Sequence, residues 1–230
     1  MYIVSSAVID PDPGPNPFTN TQWLDNKGTQ IRGIADPQAR YQAIRIFLPK
    51  LVTNLVNQLQ GTNIVFANRI PPYVAYILAL EVQAYRQYNK EVNQNNFGDG
   101  FYYILDASNR LASMDFVKQQ PSSGTYALGH SEVILADSMT GVLSNGLRKT
   151  NNCNVPNGGH LYFVIYSQIT VCSDCLIRIA QDENTMSGML QTGAVGAKIT
   201  VTAWSAVNQT RPIVMYPGTV VYSKDIKRDY

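Results

Sequence analysis

The sequence predicts a mainly β protein, an antiparallel sandwich or jelly-roll-like fold with one or two helices in its N-terminal part. From Gly98 onward, short β-branched and aromatic runs alternate with clusters of Gly, Asn, Ser and Pro, the texture of strands in series. Helical periodicity is confined to residues 36–92. Without helices between the later runs, their pairing is expected to be antiparallel.

Residues 1–23 read as an extended arm. Between Asp10 and Asn20 stand Pro11, Pro13, Pro15 and Pro17, which fix φ, remove donors and favour polyproline geometry. The segment is either a frayed terminus or an arm that docks on a neighbour, with Phe18 and Trp23 as anchors. Asp36-Pro37 then forms an N-cap and first-position pair. Tyr41, Ile44, Leu48, Leu51, Val52, Leu55 and Leu59 follow at three- and four-residue spacing, and Gly61 supplies a stop. Pro49 either kinks this helix or opens a second one. After Pro71-Pro72, the stripe Tyr73, Tyr76, Ile77, Leu80, Ala84 and Tyr88 predicts another helix, although alternate residues of the same stretch also fit a strand.

The expected strands are Phe101–Asp106, Glu132–Ala136, Leu161–Val171, Leu176–Ala180, Lys198–Val207 and Ile213–Tyr222. The clearest is Lys198–Val207, where Ile199, Val201 and Ala203 alternate with Thr200, Thr202 and Trp204, as in a strand with two unlike faces. The composition shift near residue 97 separates a helix-bearing part (36–92) from a β-patterned part (98–223). Both belong to one β-rich domain, 24–230.

Charged residues make up 15% of the chain, against roughly 25% in an average domain. Nineteen Asn and 15 Gln take their place, and weak charge lowers the self-repulsion that keeps proteins apart. A net charge of +2 with scattered basic residues excludes the charged track that nucleic-acid binding uses. The longest apolar run, Tyr73–Leu80, falls short of the roughly 18 residues of a membrane span. The N-terminus lacks the basic region of a secretory signal. Three cysteines make no disulfide framework.

Cys172-Ser-Asp-Cys175, with Cys153 upstream and His130 or His160 as further donors, makes a Cys₃His zinc set conceivable. The preferred reading is a tight hairpin with Ser173-Asp174 at its tip and the cysteines as small apolar neighbours. A thioredoxin-type role requires a helix in a βαβ unit, and here strands are expected on both sides. Gly129-His-Ser-Glu132 places a hydroxyl and a carboxylate beside His130, but no nucleophile elbow occurs, so a polar turn at a strand edge is expected. Gly188–Gly193 lacks the lysine of a phosphate loop and reads as a flexible connection.

No catalytic, metal or cofactor residue is therefore expected, and the chain is read as a non-enzyme. The function expected is that of a self-assembling structural protein, a viral capsid or other virion coat or minor shell component, located in the virion after assembly in the host cytoplasm. Its partners would be copies of itself and other shell proteins, met through Pro11, Pro13, Pro15, Pro17, Phe18 and Trp23. The alternative is a β-sandwich binding module, lectin- or adhesin-like.

Overall fold

The computed structural model describes residues 9–14, 18, 21–62, 66–90, 96–121, 123, 127–149, 151–169, 171–205 and 220–223. The chain divides into two compact units, Met1–Gln94 and Asn95–Tyr230.

The first unit is helical: α1 (Thr21–Arg32), α2 (Pro37–Leu59), the single turn α3 (Phe66–Arg69) and α4 (Pro71–Tyr88). The Asp36 carboxylate accepts from the backbone N–H of Gln38 and Ala39, both at 3.2 Å, and caps α2 as its residue type predicts. Helix α2 runs through Pro49 without ending. Helix α4 settles the ambiguous stretch, because nearly every residue from Tyr73 to Ala84 is buried and a one-sided stripe is not required there. Inside this unit, Arg45 Nε lies 2.8 Å from Glu81 Oε1, whose side chain is fully buried. Of the expected arm, residues 9–14 have no regular secondary structure, and Pro15 and Pro17 lie outside the described residues. Trp23 belongs to α1, and the rings of Phe18 and Trp23 meet Tyr73 of the same chain, at 5.4 and 6.4 Å.

The second unit corrects the mainly β prediction, because it is a mixed α/β layer. Strands β1 (Phe97–Leu105), β2 (Leu111–Pro121), β3 (His160–Ser167), β4 (Lys198–Ser205) and β5 (Val220–Ser223) form one sheet in the order β2-β1-β3-β4-β5. Strand β3 runs parallel to β4, and the other neighbours are antiparallel. Two helices, α5 (Ser131–Leu147) and α6 (Ser173–Gly193), pack on the sheet. There is no sandwich or jelly roll among the described residues.

The reason for the misreading lies in two short windows. Glu132–Ala136 is the first turn of α5, not a strand, and its buried stripe of Leu135, Met139 and Leu143 emerges only over a longer window. Leu176–Ala180 belongs to α6, whose buried stripe is Cys175, Ile179, Asp182, Glu183, Met186 and Leu190. Two acids in mid-stripe hide its period. A five-residue apolar run does not separate strand from helix. Gly188–Gly193 is the last turns of α6 instead of a loop. In β4 the two faces differ in polarity but not in burial, since Thr200, Thr202 and Trp204 are as covered as Val201. Residues 206–219 of the last expected strands lie outside the described residues.

The core of this unit joins both helices to one sheet face. Val133, Ala136 and Met139 of α5 and Ile179 and Met186 of α6 pack with Ile104, Phe163, Ile165, Ile199 and Val201. Two glycines permit the close approach. A Cβ on Gly146 would stand 1.7 Å from the carbonyl oxygen of Cys153, and one on Gly98 would stand 3.0 Å from Ser131 Oγ. On the exposed side of α5, Gly141 faces nothing within 4 Å.

Gly141 and Gly146 therefore respond oppositely to the same substitution. Gly141→Ala is expected to stabilise by about 0.5–1 kcal/mol through helix propensity. Gly146→Ala is expected to destabilise by about 1–3 kcal/mol, because backbone must move. Urea unfolding of the two variants beside the wild type checks the pair.

Candidate metal centre at two helix N-termini

Helices α5 and α6 begin at the same place. His130 is the N-cap of α5, with extended backbone (φ −79°, ψ 144°) and no side-chain cap bond. Its ring turns away from the helix instead, placing Nδ1 3.0 Å from Cys175 Sγ and 3.7 Å from Cys172 Sγ. Cys172 is the N-cap of α6 (φ −75°, ψ 162°), and its sulfur accepts from the Cys175 N–H at 3.3 Å. The two sulfurs are 2.9 Å apart. The three donor atoms of His130, Cys172 and Cys175 all lie within 4.8 Å of one another.

The local sequence explains the placement. Strand β3 ends at Ser167, and a short connection leads to Cys172. A Cys-x-x-Cys pair at a helix start brings its first and last residues onto the same side of the first turn, as an N-cap and its N3 partner do. A thiol is a weak acceptor, so Cys172 is a poorer cap than Ser, Thr or Asp would be. Cys-x-x-Cys thus opens a helix within β3–α6–β4, a parallel βαβ unit. The hairpin expected around Ser173-Asp174 is corrected, and so is the premise that strands flank the motif.

Glu132 completes the site. It stands in the first turn of α5, where the helix dipole favours an anion, and is only 1% exposed. Ser131 Oγ donates to its Oε2 at 2.9 Å. Its Oε1 is buried and has no hydrogen-bond partner among the described residues. The carboxylate is near enough to Cys175 to act on it. Burial first, then the hydrogen bond with Cys172 and the charge of Glu132, push the Cys175 thiol well above the ordinary thiol range. Without a cation, Cys175 is a neutral thiol. A bound metal ion reverses that preference, because a coordinating thiol is deprotonated outright.

The donor chemistry fits zinc, or a similarly soft divalent ion, with one imidazole nitrogen and two sulfurs. Structural zinc sites close the tetrahedron with four protein ligands, whereas catalytic ones keep a position open. Three donors meet here among the described residues.

The other expected candidates fall elsewhere. His160 Nε2 is 2.8 Å from Thr200 Oγ1 and its ring stacks on Tyr162. Cys153 is fully buried in the core. Its own burial pushes its thiol up to about 12, with Tyr102 as hydrogen-bond partner. Sequence reasoning named all three members of the cluster but paired them with Cys153 or His160, and it placed Glu132 on a strand. The spacing that unites them is His-x-Glu opening one helix and Cys-x-x-Cys opening the next.

No family model matches the chain, and no curated protein or solved structure matches it either.

The three thiols therefore differ in access. In the native, metal-stripped protein, alkylation at neutral pH is expected to reach half-buried Cys172 first and to spare Cys153 until the protein unfolds, and peptide mass mapping reads the order. The neutral Cys153 thiol stabilises the fold fully below the ordinary thiol pKa, and that contribution is lost as pH rises toward about 12.

Proposed function

We propose that the second unit is a zinc-dependent hydrolytic deaminase acting on the amino group of a nucleobase-type ring. The observation that carries the reading is the convergence of His130-Ser-Glu132 and Cys172-Ser-Asp-Cys175 at two adjoining helix starts. Zinc deaminases hold their metal with one His and two Cys and use a Glu that is not a ligand as general acid and base, in the order His-x-Glu then Cys-x-x-Cys. The chain matches that signature except for the proline before the first cysteine, where Val171 stands.

The roles follow from the residues. His130, Cys172 and Cys175 would hold the ion. Bound there, zinc supplies an activated water as nucleophile. Glu132 accepts the proton that the water releases, through its open Oε1, and delivers it to the ring nitrogen next to the attacked carbon. Glu132 would then take the proton of the hydroxyl newly bonded to the ring carbon and pass it to the amine, so that the carbon–nitrogen bond breaks as the ring carbonyl forms. In sum, an amino-bearing ring carbon and water give a ring carbonyl and ammonia, with no oxidant or reductant consumed. Burial of Glu132 keeps bulk water from competing for that proton.

A second reading rests on the 2.9 Å separation of the two sulfurs at a helix start in a βαβ unit. This is the setting of dithiol–disulfide exchange. Three features favour the deaminase: His130 within reach of both sulfurs, the buried Glu132 and the signature order. The virion-shell expectation leaned on a sandwich or jelly roll, and the mixed α/β unit removes that support. Among the described residues, no helix is long and apolar enough to cross a membrane.

Elemental analysis of the zinc-reconstituted full chain is expected to give one zinc per chain, lost in His130→Ala and Cys175→Ala. Ammonia release is then assayed with cytosine, cytidine, deoxycytidine, adenosine and single-stranded oligonucleotides. Glu132→Gln is expected to keep its zinc and to lose about 10²–10⁴-fold in turnover, the worth of a general acid–base. A chain that takes up no zinc and instead cycles Cys172 and Cys175 through a disulfide would establish the second reading.

A further inference from the structure

We propose that Ser131 is a positioning residue: its hydroxyl clamps one oxygen of Glu132 so that the other faces the reacting group. This rests on the deaminase reading and adds a role for the residue between the metal-holding histidine and the proton-transferring glutamate.

Four observations carry it. Ser131 is fully buried and Glu132 is 1% exposed, so neither side chain can satisfy itself in bulk water. The Ser131 hydroxyl donates to Glu132 Oε2 at 2.9 Å. Glu132 Oε1 has no hydrogen-bond partner among the described residues, so the carboxylate is held on one side and open on the other. Finally, the sheet makes room for the hydroxyl. Gly98 lies against it, and a Cβ there would stand 3.0 Å from Ser131 Oγ, 3.1 Å from Leu135 Cδ1 and 2.9 Å from the Tyr166 carbonyl oxygen.

A free glutamate can swing about three side-chain torsions. Proton transfer needs the donor and acceptor within about 2.6–3.2 Å. A misplacement of about 1 Å can cost 10²-fold in rate. Fixing Oε2 through the adjacent residue limits that swing without occupying the oxygen that does the work. Alanine at 131 would fill nearly the same buried space and lack the donor. Threonine would restore it.

The test uses the zinc-reconstituted full chain with Ser131→Ala, Ser131→Thr and Glu132→Gln. Ser131→Ala is expected to keep one zinc per chain and a cooperative thermal transition at a lowered midpoint, because it strips a buried acceptor of its donor, and to lose about 10-fold or more in kcat at little-changed KM. Ser131→Thr should recover part of the loss. A second readout is independent of turnover. The chain has only four glutamates, Glu81, Glu91, Glu132 and Glu183, so carbon-13 labelling of their carboxyl carbons gives four resonances. The one missing in Glu132→Gln is Glu132. It should move in Ser131→Ala, return toward its place in Ser131→Thr, and leave the other three unmoved.

Wild-type kcat, KM and an unmoved Glu132 resonance in Ser131→Ala would overturn the proposal. A wild-type chain without zinc or turnover sinks the deaminase reading itself, and the catalytic role of Ser131 with it. The carboxyl resonance separates the two failures, since it reports the clamp whether or not the protein turns over.

Discussion

The packing of α5 and α6 on one sheet face sets everything else in the second unit. Both helices bury their stripes on the same sheet face, α5 over β1, β2 and β3 and α6 over β4, and their first turns come within hydrogen-bonding distance at His130 and Cys175. Each helix start carries a partial positive charge from unpaired backbone N–H groups. Two such starts side by side form a place where anions are favoured. The groups found there are the Glu132 carboxylate and two thiols that ionise when a cation arrives. Gly98 and Gly146 are the points at which sheet and loop allow α5 to lie that close.

At this meeting point several local rules are broken together. A weak acceptor, Cys172, caps α6. A buried carboxylate keeps one oxygen without a hydrogen-bond partner among the described residues, which costs about 1–3 kcal/mol for an ordinary polar group and more for a charged one. The Cys175 thiol is pressed toward neutrality by burial and by the nearby carboxylate. Selection for stability alone would place Ser or Asp at the cap and an apolar residue at 132. Departures of this kind concentrate where function requires them. A divalent cation among the three donors would answer the cap and the thiols at once, leaving only the open oxygen of Glu132 for a substrate.

Much of the first unit was legible from residues 36 to 88, because Asp36-Pro37 is a strong start signal and both long helices exceed a dozen residues. The cores of β1, β3 and β4 were legible for a similar reason, since their aromatic and β-branched runs are bounded by Gly and polar residues. Strand β2 was not, as Leu111–Pro121 mixes Asp115, Lys118 and two glutamines into its pattern. Helices α5 and α6 were missed through short windows and through Asp182 and Glu183 sitting in a buried stripe. That one error hid the site. With the start of α6 read as a hairpin tip followed by a strand over Leu176–Ala180, Cys172 and Cys175 lay on a hairpin, and His130 and Glu132 had no reason to be near them. The residues were each noticed, and only the helix starts join them.

The position of the cluster also bears on whether the fold needs the metal. In small zinc-bound modules the ion replaces a core that the chain is too short to build, and removing it unfolds the protein. Here the three donors sit at the ends of helices whose middles are already buried. Met139, Leu143, Met186 and Leu190, two or more turns along their helices from the donors, belong to the core that joins helices and sheet. The fold presents the donors rather than depending on them, so the cation is free to be judged by what it does for a reactant. Three protein donors among the described residues, a carboxylate outside the donor set and a core built apart from them are the features on which the proposal of a catalytic rather than a structural metal centre rests.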